Sequence, residues 1–539
     1  MTPPHRNAYR PVVMGRRGAV ASAHPLASMA GIEMLLAGGN AMDAAVAVAS
    51  TLNVAEPFMS AAGGVGVMTV TADGATHVLD YIGTAPAATD PSRVTEDELK
   101  GGPKSIATPG NLGGWLTALE RFGTMKRAEV LAPAIRHAED GVPITFKSAE
   151  FIEGARATLQ RSPEGARIYL GNGGPRPGKV LVQKELGASY RLIAEGGAEV
   201  FYRGPIAKAI ARTVTEGGGW LSEADLAAFQ PTWRVPVTMP FRGAEIRAVP
   251  PPFSGWQSLQ TLNIMDGLDL AKLGHNSVDY LHALIEAIKL ASADRVAYAE
   301  RPDVPIRGIL SREYADAQRR RIDPARAGVS EGERFNRESL DHQILAGHPA
   351  DFAREQTTHF ACADGKGMIV SVTQTLGGPF GSGIVAGSTG IMLNNALAWT
   401  DLDPESPASL ESRRRGVTMM SPTQVFDGGE FRMSIGTPGS YGILQTTPQM
   451  LLNALVFGMN IQEAIEAPRL RIYRDRLVDV ENRVDPEVRD GLQRRGHQVK
   501  VLGDWSWVVG GGQGIMRDQE SGALMAGADP RRDGYALAV

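Results

Sequence analysis

The chain has 539 residues, 43% of them hydrophobic and 21% charged, the balance of a globular protein with ample core. A net charge of −4 leaves no footprint for nucleic acid or another polyanion as partner. The single cysteine, Cys362, excludes an internal disulfide framework and a cysteine-cluster metal site. The ten histidines show no His-Glu-x-x-His spacing, so no metal and no cofactor is expected.

Residues 1–17 read as a mobile leader bearing proline and arginine. Arg16-Arg17 imitates a twin-arginine export signal, but His24 and Pro25 interrupt the alanine-rich run behind it. No stretch approaches the roughly 18 consecutive apolar residues of a membrane span. A cytoplasmic location is therefore expected. Between Ser22 and Leu52 the apolar spacing predicts two helices separated by Gly38-Gly39-Asn40, the second running from Ala41 to Leu52. A strand is predicted at Val67 to Thr71 and a helix from Leu112 to Phe122. Gly173 to Lys179 fits Gly-x-x-x-x-Gly-Lys, but Val180 stands where a phosphate loop needs a hydroxyl, and Pro175 and Pro177 lie inside. Further helices are predicted at Ser258 to Leu268, Val278 to Ala299 and Leu444 to Gly458. Residues 301–356 are charged and read as surface.

The most informative stretch begins at Gln356. A short apolar run from Thr358 to Ala363 leads into Asp364-Gly365-Lys366-Gly367, a tight-turn signal. The run from Met368 to Leu376 then reads as a buried strand. Folding this hairpin about Gly365-Lys366 places Thr357 opposite Thr375, or one residue off. Two facing threonines are either ordinary strand residues or a nucleophile and its partner. A threonine hydroxyl becomes nucleophilic when a base sits beside it. A threonine that begins a chain carries that base as its own α-amine, with a reference pKa of about 7.7–8.0. That arrangement requires cleavage between Gln356 and Thr357.

Thr357 to Phe360, Phe380 to Gly387 and Leu393-Asn394-Asn395 together resemble the start of the small subunit of γ-glutamyltransferases. These are self-cleaving N-terminal-nucleophile amidohydrolases. Gly18 to Ser28, Pro250-Pro251-Pro252, Ser421-Pro422-Thr423, Gly436 to Ser440 and Gly527 to Arg531 extend the likeness over roughly residues 18 to 532. The resemblance implies an α/β fold of αββα type, two stacked antiparallel sheets with helices on both faces, as one domain. It implies a large piece, 1–356, and a small piece, 357–539, that stay together as a heterodimer, with further homo-oligomerisation possible. It makes Thr357 the nucleophile and Thr375 its hydrogen-bonding partner. Pro438-Gly439-Ser440 sits where the family has Pro-Gly-Gly, whose backbone N–H groups hold the oxyanion. One such donor is typically worth about 2.7–4 kcal/mol. Ser440 replaces the second glycine and demands a backbone that tolerates a Cβ.

Several positions that grip the γ-glutamyl head in the family are changed. Ile82 stands for the carboxylate-clamping arginine, Thr418-Met419 for a serine pair, and Gly377 for an asparagine. Ala396 and Trp399 stand for a glutamine and an aspartate. Without charged clamps a site cannot offset the desolvation of a zwitterion. Phe253, in the proline loop, Trp256, Trp399 and Met419 would instead make the pocket apolar. The segment from Thr400 to Val417 is short, which suggests an open site without a lid. Arg413-Arg414-Arg415 reads as a solvated basic run, with a contact to an acidic substrate end as the alternative. The expectation is a self-processing threonine amidohydrolase or acyltransferase for a small amide with a non-γ-glutamyl, more apolar acyl group. An ordinary glutathione hydrolase is the first alternative. An uncleaved, inactive binding protein is the second.

Overall fold

The computed structural model describes residues 8–171, 173–299, 301, 303–328, 356–473 and 476–539. Its centre is the expected hairpin. Gln356–Asp364 and Ile369–Gly377 pair antiparallel with Thr357 opposite Thr375, Thr358 opposite Gln374 and His359 opposite Thr373. The register shifts by one between Gln356 and Thr357, an irregularity immediately before the threonine.

The hairpin forms the third and fourth strands of a seven-stranded sheet. Tyr535–Ala538 and Gly18–Ser22 lie on one side, and Val65–Ala72, Ala75–Tyr81 and Thr232–Arg234 on the other. A second seven-stranded sheet runs Val13–Gly15, Leu524–Ala528, Gln513–Arg517, Glu430–Gly436, Thr423–Asp427, Ala244–Ala248, Val237–Phe241. Every pairing in both sheets is antiparallel.

Three apolar layers hold the stack. Between the sheets the side chains are small: Ala19, Ala21, Ala361, Ala363, Ala526 and Ala528 gather around Phe426 and Ile515. The outer face of the hairpin sheet, including Phe360, Val370 and Val372, packs on the helices Pro25–Leu36, Ala41–Ala55 and Asn111–Phe122. The outer face of the second sheet packs on Trp256–Asp266, Val278–Tyr298 and Ile443–Leu455. This is the four-layer αββα arrangement.

Local chemistry sets the helix ends. Asn40 accepts from the backbone N–H groups of Met42 and Asp43, and Asp43 answers on the Asn40 N–H, so Gly38-Gly39 ends one helix and Asn40 opens the next. The leader differs from expectation. Val13–Gly15 is a strand paired with Leu524–Ala528, and Arg16-Arg17 is the link to Gly18–Ser22. Residues 1–7 lie outside the described residues, as does most of the run before Gln356. The Gly173 to Lys179 loop binds itself: Lys179 Nζ donates to the carbonyls of Gly171 and Gly174 at 2.8 and 2.9 Å. Among the described residues no helix is long and apolar enough to cross a membrane.

A fully buried ion network fixes the C-terminal loop to the second helical layer. Arg531 grips both oxygens of Glu481, with Nε at 2.7 Å and Nη2 at 2.6 Å, and Arg469 donates to Asp529 at 2.6 Å. All four side chains have zero exposure. Removing one partner leaves an uncompensated buried charge. Arg531→Ala is therefore expected to lose about 3 kcal/mol or more of stability, read by denaturant unfolding.

Candidate active site

Strand alternation places the two faces of the hairpin. His359 faces the second sheet, where its ring lies so close to Gly436 that a Cβ there would sit 2.3 Å from Cε1. Thr357, two residues away, shares that face. Thr358 and Phe360 face the helices. His359 is fully buried, and its Nδ1 lies 2.9 Å from the Thr373 hydroxyl. Burial drops its pKa to about 3, so the ring is neutral and acts as packing.

Thr357 and Thr375 are both buried, at 4% and 1% exposure. The Thr375 hydroxyl accepts from the Gly377 N–H at 2.8 Å, which ties it to the strand end. Beyond Gly436 the chain turns through Thr437-Pro438-Gly439-Ser440 into the helix Ile443–Leu455. Gly439 is buried, and its N–H has no acceptor among the described residues. Gly439 has φ +135° and Ser440 φ +57°. The second value is left-handed backbone, which favours glycine and which the serine here adopts.

The remaining expected contacts divide into groups. Ile82, Ala396 and Trp399 line one pocket. Phe253 joins them in a common apolar cluster with Leu397 and Met420. Phe253 also bridges to Thr418, whose carbonyl accepts from the Ser254 N–H at 2.9 Å. Met419 instead packs on Ile443 and Leu444, just beyond the Ser440 turn. Trp256 is fully buried in a different cluster, with Ala299 and Ile309, and does not line the pocket. Gly377 has φ +102°, and a Cβ there would fall 2.1 Å from Asn395 Oδ1. Asn395 and Asn394 serve as struts: Asn394 donates to the carbonyls of Gly63 and Ala107 and accepts from the N–H groups of Ala107 and Ala396.

One expectation about the segment 400–417 needs correction. Short as it is, the segment forms one wall of the pocket through Thr400, Ala408, Glu411 and Arg414 to Val417. Its arginines are not simply solvated. Arg413 is exposed, but Arg414 and Arg415 are half-buried at the pocket. Arg415 reaches the fully buried carboxylate of Asp80 at 2.9 Å, and Arg234 holds the same carboxylate at 2.9 Å. A buried carboxylate needs such partners, and here they come from a distant part of the chain.

Behind the hairpin, on the helical side, lie two buried ionisable groups, Glu56 and Arg532, that sequence spacing does not reveal. The Thr358 hydroxyl donates to Glu56 Oε2 at 3.1 Å. Arg532 Nη1 donates to the carbonyl of Thr357 at 3.3 Å. Burial raises the Glu56 carboxyl from 4.5 to about 8, against the pull of Arg532. Burial lowers Arg532 to about 10, which still leaves it charged at neutral pH. In sequence Glu56 shows only as a helix end before Pro57, and Arg532 as the neighbour of the Asp529-Pro530-Arg531 match.

One cluster of the described residues has metal-ligand types: His282, Glu286 and His497, all buried. His282 Nδ1 and His497 Nε2 are 2.8 Å apart, a hydrogen-bond distance. Two ligands on a tetrahedral zinc stand about 3.3 Å apart. Lys289 holds Glu286 at 2.8 Å, so the cluster reads as a structural imidazole pair beside an ion pair.

The comparisons agree with this geometry. The profile of the family described as Gamma-glutamyltranspeptidase matches residues 27–539. An acylase ACY 1 proenzyme of Pseudomonas sp. (strain V22) is 36% identical over 97% of this chain and 94% of its own. A glutathione hydrolase proenzyme of Bacillus subtilis (strain 168) is 33% identical over 100% and 94%. The crystal structure of a cephalosporin acylase from Bacillus halodurans superposes with a TM-score of 0.89 at 32% identity, covering 100% of this chain and 99% of that one. The fold and the relatives define an amidohydrolase or acyltransferase of the N-terminal-nucleophile type. The chain belongs to the γ-glutamyltranspeptidase family and is a hydrolase or transpeptidase acting on amides.

Two measurements test the local physics. Ser440→Gly is expected to keep or raise stability, by up to about 1 kcal/mol, while Ser440→Val loses more than about 1 kcal/mol, because a β-branched residue resists positive φ. Denaturant midpoints give the order. Glu56 holds its proton in the folded state up to about pH 8, and releases it near 4.5 when unfolded. The wild-type protein should therefore lose on the order of a few kcal/mol as pH rises from 5 to 8 relative to Glu56→Gln, which has no such proton.

Proposed function

We propose that the chain cleaves itself between Gln356 and Thr357 and that Thr357 is then the nucleophile of an amidase with a largely apolar acyl pocket. The observation that carries this reading is the pairing of Thr357 with Thr375 on the inward face of the central hairpin. In the proposed reaction Thr357 Oγ1 attacks the amide carbonyl carbon while its proton passes to the Thr357 α-amine. The oxyanion is held by the backbone N–H groups of Gly439 and Ser440. The leaving amine takes the proton as the C–N bond breaks. Water, or an acceptor amine, then attacks the acyl ester on Thr357 and regenerates the hydroxyl. Thr375 orients Thr357.

Ile82, Phe253, Ala396 and Trp399 support an acyl group other than free γ-glutamyl, since they supply apolar contact where a zwitterion needs ionic partners. Gly377, Thr418 and Met419 would shape the neighbouring walls. The proenzyme names of the relatives support cleavage into two pieces. The piece from Thr357 would supply two central strands between Gly18–Ser22 and Val65–Ala72 of the other, which supports a lasting heterodimer. Gel filtration reads its further assembly. Placing Arg16-Arg17 between two paired strands supports reading it as part of the fold, and the protein as cytoplasmic.

Incubated protein should resolve into pieces of 356 and 183 residues (539 less 356) by intact mass. Thr357→Ala should remain whole and inactive. The cleaved enzyme should release p-nitroaniline from simple acyl anilides in preference to γ-glutamyl-p-nitroanilide. Turnover of the γ-glutamyl compound alone would make it an ordinary glutathione hydrolase, and a persistently whole chain an inactive binding protein.

A further inference from the structure

Arg532 is a buried cation on which Glu56 and Asp529 act without contact close enough for an ion pair. Its residue is 4% exposed, and among the described residues it makes no ion pair. Its Nη1 reaches only the Thr357 carbonyl at 3.3 Å and the Met59 sulfur at 3.6 Å, and its Nε has no partner. The fold makes room for it deliberately: a Cβ at Gly511 would lie 2.7 Å from the Arg532 Cδ. Desolvating a guanidinium is costly without compensating charge, so its position calls for an explanation.

We propose that Arg532 is a positioning residue that keeps the Thr357 α-amine unprotonated, by setting a fixed positive charge against that residue's own carbonyl. The inference rests on the reading of Thr357 as an N-terminal nucleophile. A residue's α-nitrogen lies roughly 3 Å from its own carbonyl oxygen, so the guanidinium stands about 4–6 Å from the amine that cleavage frees. At that range a like charge disfavours the protonated amine by on the order of one pKa unit or more. The neutral amine is the form able to take the Thr357 hydroxyl proton. The hydrogen bond to the carbonyl also fixes the backbone from which both amine and hydroxyl project.

The other charged groups around this point do not cancel the effect. From the helix Ala41–Ala55, Glu56 faces it, but its burial favours the neutral carboxyl at neutral pH. From the C-terminal loop, Asp529 also acts on Arg532, but its charge is balanced by Arg469 and Arg531, and Asp533 accepts from the Thr145 hydroxyl at 2.5 Å. On the strand itself His359 is neutral. The flanking strands Gly18–Ser22 and Ile369–Gly377 bring no titratable side chain. In the second sheet Glu430, Arg432 and Arg517 lie toward the far ends of their strands, and Asp43 and Asp364 mark the opposite end of the hairpin strand. As pH passes about 8 and Glu56 ionises, its charge would oppose that of Arg532.

The test is the pH dependence of kcat/KM for the cleaved enzyme on an acyl anilide it hydrolyses. The acidic limb of the wild-type enzyme should fall below the ordinary α-amine range of about 7.7–8.0. Arg532→Gln and Arg532→Met should move that limb upward by about one pH unit, and Arg532→Lys should return most of the shift. A wild-type limb at or above the ordinary range overturns the inference without any variant. So does a limb that stays in place in whichever neutral variant folds, with the rate merely lowered at every pH, since that is the signature of packing alone. In either case a cleaved, active enzyme abolished by Thr357→Ala leaves the nucleophile reading intact. An uncut, inactive chain brings down both.

Discussion

The register of one hairpin governs the site. With a side-chain period of two, Thr357 and His359 point between the sheets, and Thr358 and Phe360 point into the helical layer. A slip of one residue would exchange these faces. Phe360 would enter a sheet interface rich in alanine, and His359 would enter the apolar core on the Ala41–Ala55 helix. The Asp364-Gly365-Lys366-Gly367 turn sets the pairing, and the contrast between small and large side chains on the two faces enforces it. The position of the Thr357 hydroxyl is thus fixed by packing several residues away.

Close approach of the sheets comes from the same composition. Alanines on Gly18–Ser22, Gln356–Asp364 and Leu524–Ala528 let the layers meet, and Gly436 lets the His359 ring lie flat against the second sheet. That contact brings the end of Glu430–Gly436, and with it the Gly439-Ser440 turn, toward the start of the hairpin. The left-handed backbone at Ser440 is a local cost accepted to aim that turn, and the helix beginning at Ile443 anchors its far side.

Much of this is legible in the residues. Turn chemistry and β-branched runs locate the hairpin, and capping residues such as Asn40 locate helix starts within a few positions. The glycine-lysine loop lacks the hydroxyl of a phosphate site, and Lys179 is indeed held by its own loop. Spacing does not show the pairings across the chain. Arg415 reads as one of three solvated arginines because Asp80 lies 335 residues earlier. Arg532 and Glu56 meet only when the C-terminal loop closes over the end of the Ala41–Ala55 helix. Val13–Gly15 has too few residues for a periodicity, and its strand character comes from its partner, Leu524–Ala528.

The pocket shows charge moved rather than removed. Ile82, Ala396 and Trp399 form an apolar slot, and the strand that leads to Ile82 carries Asp80, buried and negative. That carboxylate requires counter-ions, and Arg234 and Arg415 supply two guanidiniums where one would balance it. Arg414 at the same wall is matched by Glu411 at 3.0 Å. Three cations against two carboxylates leave one net positive charge at the slot. Glu411, the one carboxylate among the pocket-lining residues, is engaged by Arg414 and by the Ser409 hydroxyl. A ligand's ammonium group would have to compete for it, while an acyl chain without an amine meets no such demand. The slot therefore combines apolar side chains with a wall of arginines whose charge is matched only in part by Asp80 and Glu411.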